Sequence, residues 1–238
     1  MKYDDIRQIM AWLKEADIPV CIVGEFALNY YNVPRIIHDL ELCLRAGDLK
    51  DATSIFESEE TLIERADETE YNIYTEYKRG FPRFRYRFEH ESCIVLFTDR
   101  YCHLEPFSRN IVSQQEHDRQ DAKDAYSKGI LDSMSAEQVA TLPFPKFAPL
   151  FVGFCRTYIE TQEVTAAIAA ELLVDGMNIY EEWWRARFDA SQSGLLNFAL
   201  RLVEGKASRI ADYTPNEVTC FVVDQKEAQR IRMIPGFS

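Results

Sequence analysis

The spacing of hydrophobic residues predicts alternating helices and strands in the first half of the chain. Apolar side chains recur at helical spacing over residues 3–16, where Asp4 is a candidate N-cap. The apolar run at 18–23 predicts a buried strand that ends at Gly24. The remaining patterns predict helices at 25–31 and 48–58, and strands at 38–44, 83–88 and 92–98.

Two of these strands alternate with a period of two and therefore have chemically different faces. In the strand at 38–44, one face carries Asp39, Glu41 and Cys43, and the other carries Leu40, Leu42 and Leu44. In the strand at 83–88, Arg83, Arg85 and Arg87 alternate with Phe84, Tyr86 and Phe88. The aromatic face is expected to lie in the core.

The second half of the chain is predicted to be helical. Helical spacing is found at 147–161, 163–184 and 192–203, and a short strand is expected at 218–223. We therefore expect an α/β (α+β) fold, in which a small mixed sheet flanked by helices precedes a C-terminal helical region. The division is predicted between residues 1–130 and 131–238.

The net charge of the chain argues against some classes of binding protein. The 238 residues carry a formal net charge of −12, which argues against coating nucleic acid or an anionic membrane through bulk charge. The charge is uneven, because residues 57–76 hold eight acidic side chains against one arginine and the stretch 78–88 that follows is basic.

Cysteine usage and hydropathy indicate the compartment. The six cysteines are scattered without a C-x-x-C pair, which favours free thiols in a reducing compartment and no disulfide-linked partner. No apolar run approaches the roughly 18–20 residues that span a bilayer, and the charged N-terminus lacks a signal-peptide pattern. We expect a soluble, cytoplasmic protein without a membrane partner.

The segment from Gly24 to Glu41 carries the candidate chemistry. Asp39 and Glu41 stand at i and i+2 on a strand, so their carboxylates point to one side and could hold one or two divalent cations. Two-metal phosphoryl transfer needs such a pair. A turn at Gly24 would let backbone N–H groups approach a phosphate.

The arrangement of these residues resembles the nucleotidyltransferase superfamily, which has the DNA polymerase β-like fold. The matching pattern is Val23-Gly24-Glu25, thirteen further residues, and Asp39-Leu40-Glu41. In the minimal, AbiEii-like branch of this superfamily an arginine commonly precedes the carboxylates, as Arg35 does here. The chain is similar to this branch and to uncharacterised fungal members. The resemblance covers about residues 18–105.

The resemblance implies a reaction and a set of site residues. Asp39 and Glu41 would be catalytic and would hold Mg²⁺ or Mn²⁺, and a nucleoside monophosphate would pass from a nucleoside triphosphate to a hydroxyl. The acceptor could be RNA, protein or a small molecule. The candidate nucleotide-binding residues are Gly24, Glu25, Arg35, Arg83 and Arg85.

Simpler interpretations of these residues stay open. Asp39 and Glu41 could be the solvent face of an edge strand, and Arg35 could pair with them. The arginines at 83, 85 and 87 could balance the acidic stretch, bind a triphosphate or contact an RNA backbone. Glu171 and Asp175, at i and i+4, fit a solvated helix face or a contact with a ligand, and Trp183-Trp184 fits packing or a partner-facing patch.

Two departures from the family pattern support a second hypothesis. Glu25 stands where the family places Gly or Ser beside the triphosphate. The family's third carboxylate falls at the apolar Val95, with Glu89, Glu91 and Asp99 only flanking that strand. The alternative function is therefore a catalytically inactive, nucleotidyltransferase-like binding or scaffold protein.

Overall fold

The fold was analysed in a computed structural model, which describes residues 2–66, 71–87, 92–118, 125–188, 192–210 and 216–237. The strands are β1 (Val20–Ile22), β2 (Leu40–Leu44), β3 (Ile63–Arg65), β4 (Arg83–Tyr86) and β5 (Cys93–Thr98). The helices of the first half are α1 (Tyr3–Glu15), α2 (Gly24–Tyr30), α3 (Leu49–Ser58), α4 (Gln114–Asp118) and α5 (Lys128–Leu131). Those of the second half are α6 (Ala136–Val139), α7 (Phe147–Thr161), α8 (Val164–Gly176), α9 (Glu181–Arg185), α10 (Ser193–Glu204), α11 (Lys206–Arg209) and α12 (Gln225–Ile231). Short 3₁₀ helices lie at Ala46–Asp48, Glu76–Lys78 and Phe107–Arg109.

The five strands form one mixed sheet in the order β1-β2-β5-β4-β3. β2 and β5 run parallel, and the other neighbouring pairs are antiparallel. Glu41 on β2 stands opposite Val95 on β5, and Val95 stands opposite Arg83 on β4. This register places the predicted acidic and arginine faces on the same side of the sheet.

The two faces of the sheet are buried under different layers. Leu40, Leu42 and Leu44 belong to the main core, together with residues of α1, α3 and the C-terminal helices. On the opposite face, Cys43, Val95 and Phe97 form a second apolar cluster beside Tyr77 and Phe81. The alternation predicted for the strand at 38–44 is confirmed, and the small mixed sheet with a C-terminal helical region confirms the predicted fold class.

Several predicted boundaries are wrong in the first half. α1 is capped at Lys2 rather than Asp4, because Asp5 accepts the Lys2 backbone N–H at 2.9 Å. Asp39 precedes β2 rather than lying within it. The strand β3 within the acidic stretch is absent from the predictions, because its three residues are too few to establish a period. Phe88, Glu89 and Glu91 lie outside the described residues.

The second half also corrects the sequence-based prediction. The helix predicted at 163–184 is two helices, because the chain turns after Gly176 and Asn178 adopts a positive φ of 46°. The segment 218–223 is a turn rather than a strand, with the Val222 N–H donating to the Thr219 carbonyl. Trp183 and Trp184 are buried in the core, as the packing interpretation predicted.

Two further observations concern thiols and membranes. All six cysteines are free thiols, and Cys21 and Cys43 face each other across β1 and β2. Within the part of the chain that the structure describes, no helix combines the length and apolar character needed to span a bilayer.

Candidate functional site

Asp39 and Glu41 converge on a single cation that belongs to the protein itself. The Nζ atom of Lys78 lies 2.7 Å from Asp39 Oδ2 and 2.8 Å from Glu41 Oε1. Lys78 and Glu41 are 5% and 3% exposed, so the ion pairs are shielded from water. Lys78 is the last residue of the 3₁₀ helix Glu76–Lys78. This helix lies in the loop between β3 and β4 and packs against one face of the sheet.

Three of the four carboxylate oxygens of Asp39 and Glu41 accept hydrogen bonds. Asp39 Oδ1 accepts the Cys93 backbone N–H at 2.7 Å, and Asp39 Oδ2 accepts from Lys78. Glu41 Oε1 accepts from Lys78 and also from the Tyr77 hydroxyl at 2.5 Å. Glu41 Oε2 packs against Gly24, where a Cβ atom would stand only 1.9 Å from it. We call Asp39, Glu41, Tyr77 and Lys78 the lysine–carboxylate cluster.

Gly24 is required at its position for two reasons. Its φ of 61° lies in the left-handed region that side chains disfavour. It also lets the first turn of α2 approach the Glu41 carboxylate without a steric clash. The Glu41 carboxylate therefore occupies the space beside Gly24 in which the sequence analysis expects a phosphate.

Burial sets the electrostatics of the cluster. Burial raises the pKa of Glu41, and the charge and hydrogen bond of Lys78 and the hydrogen bond of Tyr77 offset this only in part. Burial alone would lower the pKa of Lys78, but the charges of Glu41 and Asp39 outweigh it and raise that pKa. Burial and Glu41 together raise the pKa of Tyr77, so its hydroxyl stays protonated and donates.

This arrangement does not fit a resident divalent cation. Mg²⁺ requires oxygen ligands with free lone pairs at about 2.0–2.1 Å in octahedral geometry. Here an ammonium group already lies between the two carboxylates, at distances typical of charge-assisted hydrogen bonds. Among the described residues, no group of three or more His, Cys, Asp and Glu side chains is arranged to hold a metal ion.

The position expected for a third carboxylate is apolar. Val95, directly opposite Glu41 on β5, is fully buried in the second apolar cluster. Asp99 is also buried, but its Oδ1 accepts the backbone N–H groups of Ala46 and Arg100, both at 2.9 Å. Asp99 therefore holds the turn after β5 together.

Glu25 points toward the backbone of the loop that connects α2 to β2. Its Oε2 accepts the His38 backbone N–H at 2.7 Å, and its Oε1 lies 2.9 Å from His38 Nδ1. This contact explains why a carboxylate is accommodated where the family has a small residue.

The candidate arginines occupy different environments. Arg35 is exposed, while its carbonyl accepts a hydrogen bond from Asn29 at 2.8 Å. Arg83 contacts Tyr71, with its guanidinium 5.5 Å from the ring centroid, and Arg85 pairs with Glu64 at 3.0 Å. The pairing of Arg85 matches the charge-balancing interpretation of the basic stretch.

Sequence reasoning missed Tyr77 and Lys78. Lys78 was visible only as the first residue of a basic stretch, and Tyr77 as one aromatic residue in a loop. Tyr77 and Tyr101 stack on Phe97 and Phe81 meets it edge-to-face, with ring centroids 4.7–5.9 Å apart, and this aromatic layer covers the sheet beside the cluster. No local pattern reports such a non-local contact.

Comparison with known proteins gives little further guidance. No protein-family model matches the chain, and no curated protein matches it. Among solved structures, the chain is similar to the solution structure of the antibiotic-resistance factor ANT(2″)-Ia, at 13% identity and a TM-score of 0.39. That alignment covers 80% of this chain and 95% of the other. A similarity at this TM-score supports no argument about the function of this protein.

Proposed function

We propose that this protein is a catalytically inactive, nucleotidyltransferase-like binding or scaffold protein. The observation that carries the proposal is the Lys78 ammonium group, which bridges the two carboxylates that a nucleotidyltransferase would use for metal. A buried lysine paired with both acids compensates part of their charge and occupies one ligand position on each carboxylate.

The surroundings of the cluster support the same proposal. A nucleotide held by Asp39 and Glu41 would need the space that Tyr77 and Lys78 occupy. The valine opposite Glu41 offers no third ligand. Each of these features weakens a different requirement of two-metal transfer, namely metal ligation, substrate access and a complete carboxylate set.

Mg²⁺- or Mn²⁺-dependent transfer of a nucleoside monophosphate is the second candidate. One observation favours it: the carboxylates of Asp39 and Glu41 lie close enough to share one cation, beside Gly24 at the start of α2. This function would require Lys78 to leave the carboxylates. Under this hypothesis the donor is a nucleoside triphosphate and the acceptor hydroxyl is unassigned.

A metal-dependent binding experiment separates the two candidates. We would titrate ATP and GTP into the protein by calorimetry, with Mg²⁺, with Mn²⁺ and with a chelator, and repeat the series with Asp39→Ala and the nearly isosteric Asp39→Asn. The proposal predicts that metal does not change nucleotide affinity in any of these proteins. Metal-dependent binding in the wild type that both variants lose, while their circular dichroism stays native, would refute the proposal and support the transferase hypothesis instead.

A further inference from the structure

A cleft outside the lysine–carboxylate cluster brings two cationic side chains together. It has a volume of about 320 Å³ and lies where the turn after α2, the segment around α5 and the segment around α12 meet. Among the described residues, its lining consists of Asn32, Pro34, Tyr126, Ser127, Lys128, Leu131, Phe221, Glu227 and Arg230. The volume is at the lower end of the range for small-molecule sites, about 300–1,000 Å³.

Two basic side chains lie at the rim of the cleft among the described residues. Lys128 and Arg230 are both exposed, and Glu227 is the one acidic side chain among the described lining residues. Glu227 Oε2 accepts the Val223 backbone N–H at 2.6 Å, and Glu227 Oε1 lies 3.8 Å from an Arg230 nitrogen. The described lining residues sum to a charge of +1, in a chain whose net charge is −12.

The walls and floor of the cleft are apolar and held in place. Pro34, Leu131 and Phe221 supply the apolar walls. The floor residue Tyr126 is buried and stacks on Tyr30 with ring centroids 5.0 Å apart. Ser127 is buried as well, and its hydroxyl is hydrogen-bonded to Asn29. The binding surface is thus formed before any ligand arrives, which reduces the entropy cost of binding.

We propose that this cleft binds a small phosphate monoester whose organic part is apolar or aromatic. A phosphate dianion complements an arginine and a lysine that face one space, since guanidinium and ammonium groups are strong donors to phosphate. The organic part would pack between Pro34 and Phe221. Since the cleft shares no residue with the lysine–carboxylate cluster, this inference stands apart from the proposed function.

Binding of phenyl phosphate tests the proposal, with ligand-observed NMR or calorimetry as the readout. We expect saturable 1:1 binding, and affinity at least about tenfold weaker for inorganic phosphate, benzoate and benzyl alcohol. These three probes lack, in turn, the aromatic body, the dianion and any charge.

Variants locate the binding site. Lys128→Glu and Arg230→Glu should each weaken phenyl phosphate binding at least about tenfold. Phe221→Ala should weaken phenyl phosphate but not inorganic phosphate. Lys50→Glu, the same charge reversal at an exposed lysine on α3, should leave affinity unchanged. Circular dichroism of each variant verifies the fold.

Four outcomes would overturn the inference. Absence of saturable binding would refute a ligand site, and equal losses in Lys50→Glu and the cleft variants would reduce it to a bulk-charge effect. Benzoate binding as tightly as phenyl phosphate would refute the phosphate assignment. A loss of binding in Asp39→Asn, with the cleft variants unaffected, would place the ligand at the carboxylates and count against the proposed function as well.

Discussion

Lys78 is the residue on which the interpretation of the site depends. Its single positive charge lies between two acids, and Tyr77 donates to one of them from the adjacent position. A buried ion pair contributes little compared with a well-packed apolar group, but removing one partner leaves an uncompensated charge. The consequence of losing Lys78 is therefore much larger than that of losing a surface lysine.

Lys78→Met is expected to lower the free energy of unfolding by about 3–5 kcal/mol at pH 7, as for other broken buried pairs. Burial already raises the pKa of Glu41 above 4.5, and removing the lysine raises it further. The folded state then binds a proton more tightly than the unfolded state, so stability is retained below pH 4.5 and lost as pH rises through the folded pKa. The deficit of the variant should therefore shrink between pH 7 and pH 5.

Urea denaturation at the two pH values measures this effect. Lys50→Met is the matched control, because Lys50 is exposed, and should change stability by less than about 0.5 kcal/mol. The double variant Lys78→Met/Glu41→Gln should recover part of the loss. A loss at pH 7 no greater than in the control would mean that the cluster does not contribute to the fold.

Gly24→Ala tests the close approach of α2 to Glu41. The substitution combines backbone strain at a φ of 61° with a Cβ atom 1.9 Å from Glu41 Oε2, and should cost about 3 kcal/mol or more. Gly80→Ala is the matched control, since Gly80 also has a positive φ but no atom within 4 Å of an added Cβ. It should cost about 1–2 kcal/mol in the same denaturation experiment. Equal losses would show that the contact with Glu41 is unimportant.

At the scale of elements, the end of α8 is held by a buried ion pair. Asp175 is 1% exposed, and its oxygens accept from Arg209 on α11 at 2.7 and 2.8 Å. The Asp175 carbonyl also accepts the Thr219 hydroxyl at 2.7 Å. The expectation of a solvated face at Asp175 is therefore wrong, because α11 and the Thr219 turn pack against that side of α8.

Arg209→Met should lower the free energy of unfolding by about 3–5 kcal/mol, since Asp175 would remain buried without its partner. The same substitution at Arg185, whose pair with Glu181 is about half exposed, should cost less than about 1 kcal/mol. Thermal or chemical denaturation of the two variants provides the comparison. Similar values for both would indicate that the Asp175 pair is effectively solvated.

At the scale of the whole molecule, tyrosines are packed in both apolar clusters, one on each face of the sheet. Burial raises the pKa of Tyr30, Tyr31, Tyr77, Tyr101 and Tyr126, and for Tyr126 the value is about 12. A raised phenol pKa means that the folded state is favoured below pH 10 and loses stability as pH rises through the folded values. Alkali should therefore destabilise the core progressively above pH 10.

An alkaline titration followed by phenolate absorbance and circular dichroism tests this expectation. The five tyrosines with raised pKa values, Tyr126 at about 12, should ionise together with the loss of helical signal. The same titration in concentrated urea, where every tyrosine is accessible, gives the reference curve near pH 10. Ionisation of the full set below pH 11 with intact helical signal would contradict the burial described above.

The sequence by itself determined the features that depend on neighbouring residues. The period-two pattern correctly assigned Glu41 and Cys43 to one face of β2, and the 3.6-residue pattern gave the bounds of α7. The fold class follows from these local patterns. The division at residue 130 and the catalytic roles of Asp39 and Glu41 stay predictions.

Only the tertiary structure decided what the two carboxylates contact. Lys78 is 39 residues from Asp39 along the chain, and it reaches the acids because a 3₁₀ turn crosses the sheet face. Burial then makes the ammonium group a fixed partner, since a desolvated charge must be paired. Periodicity records which side of a strand a residue faces but not which distant side chain meets it there.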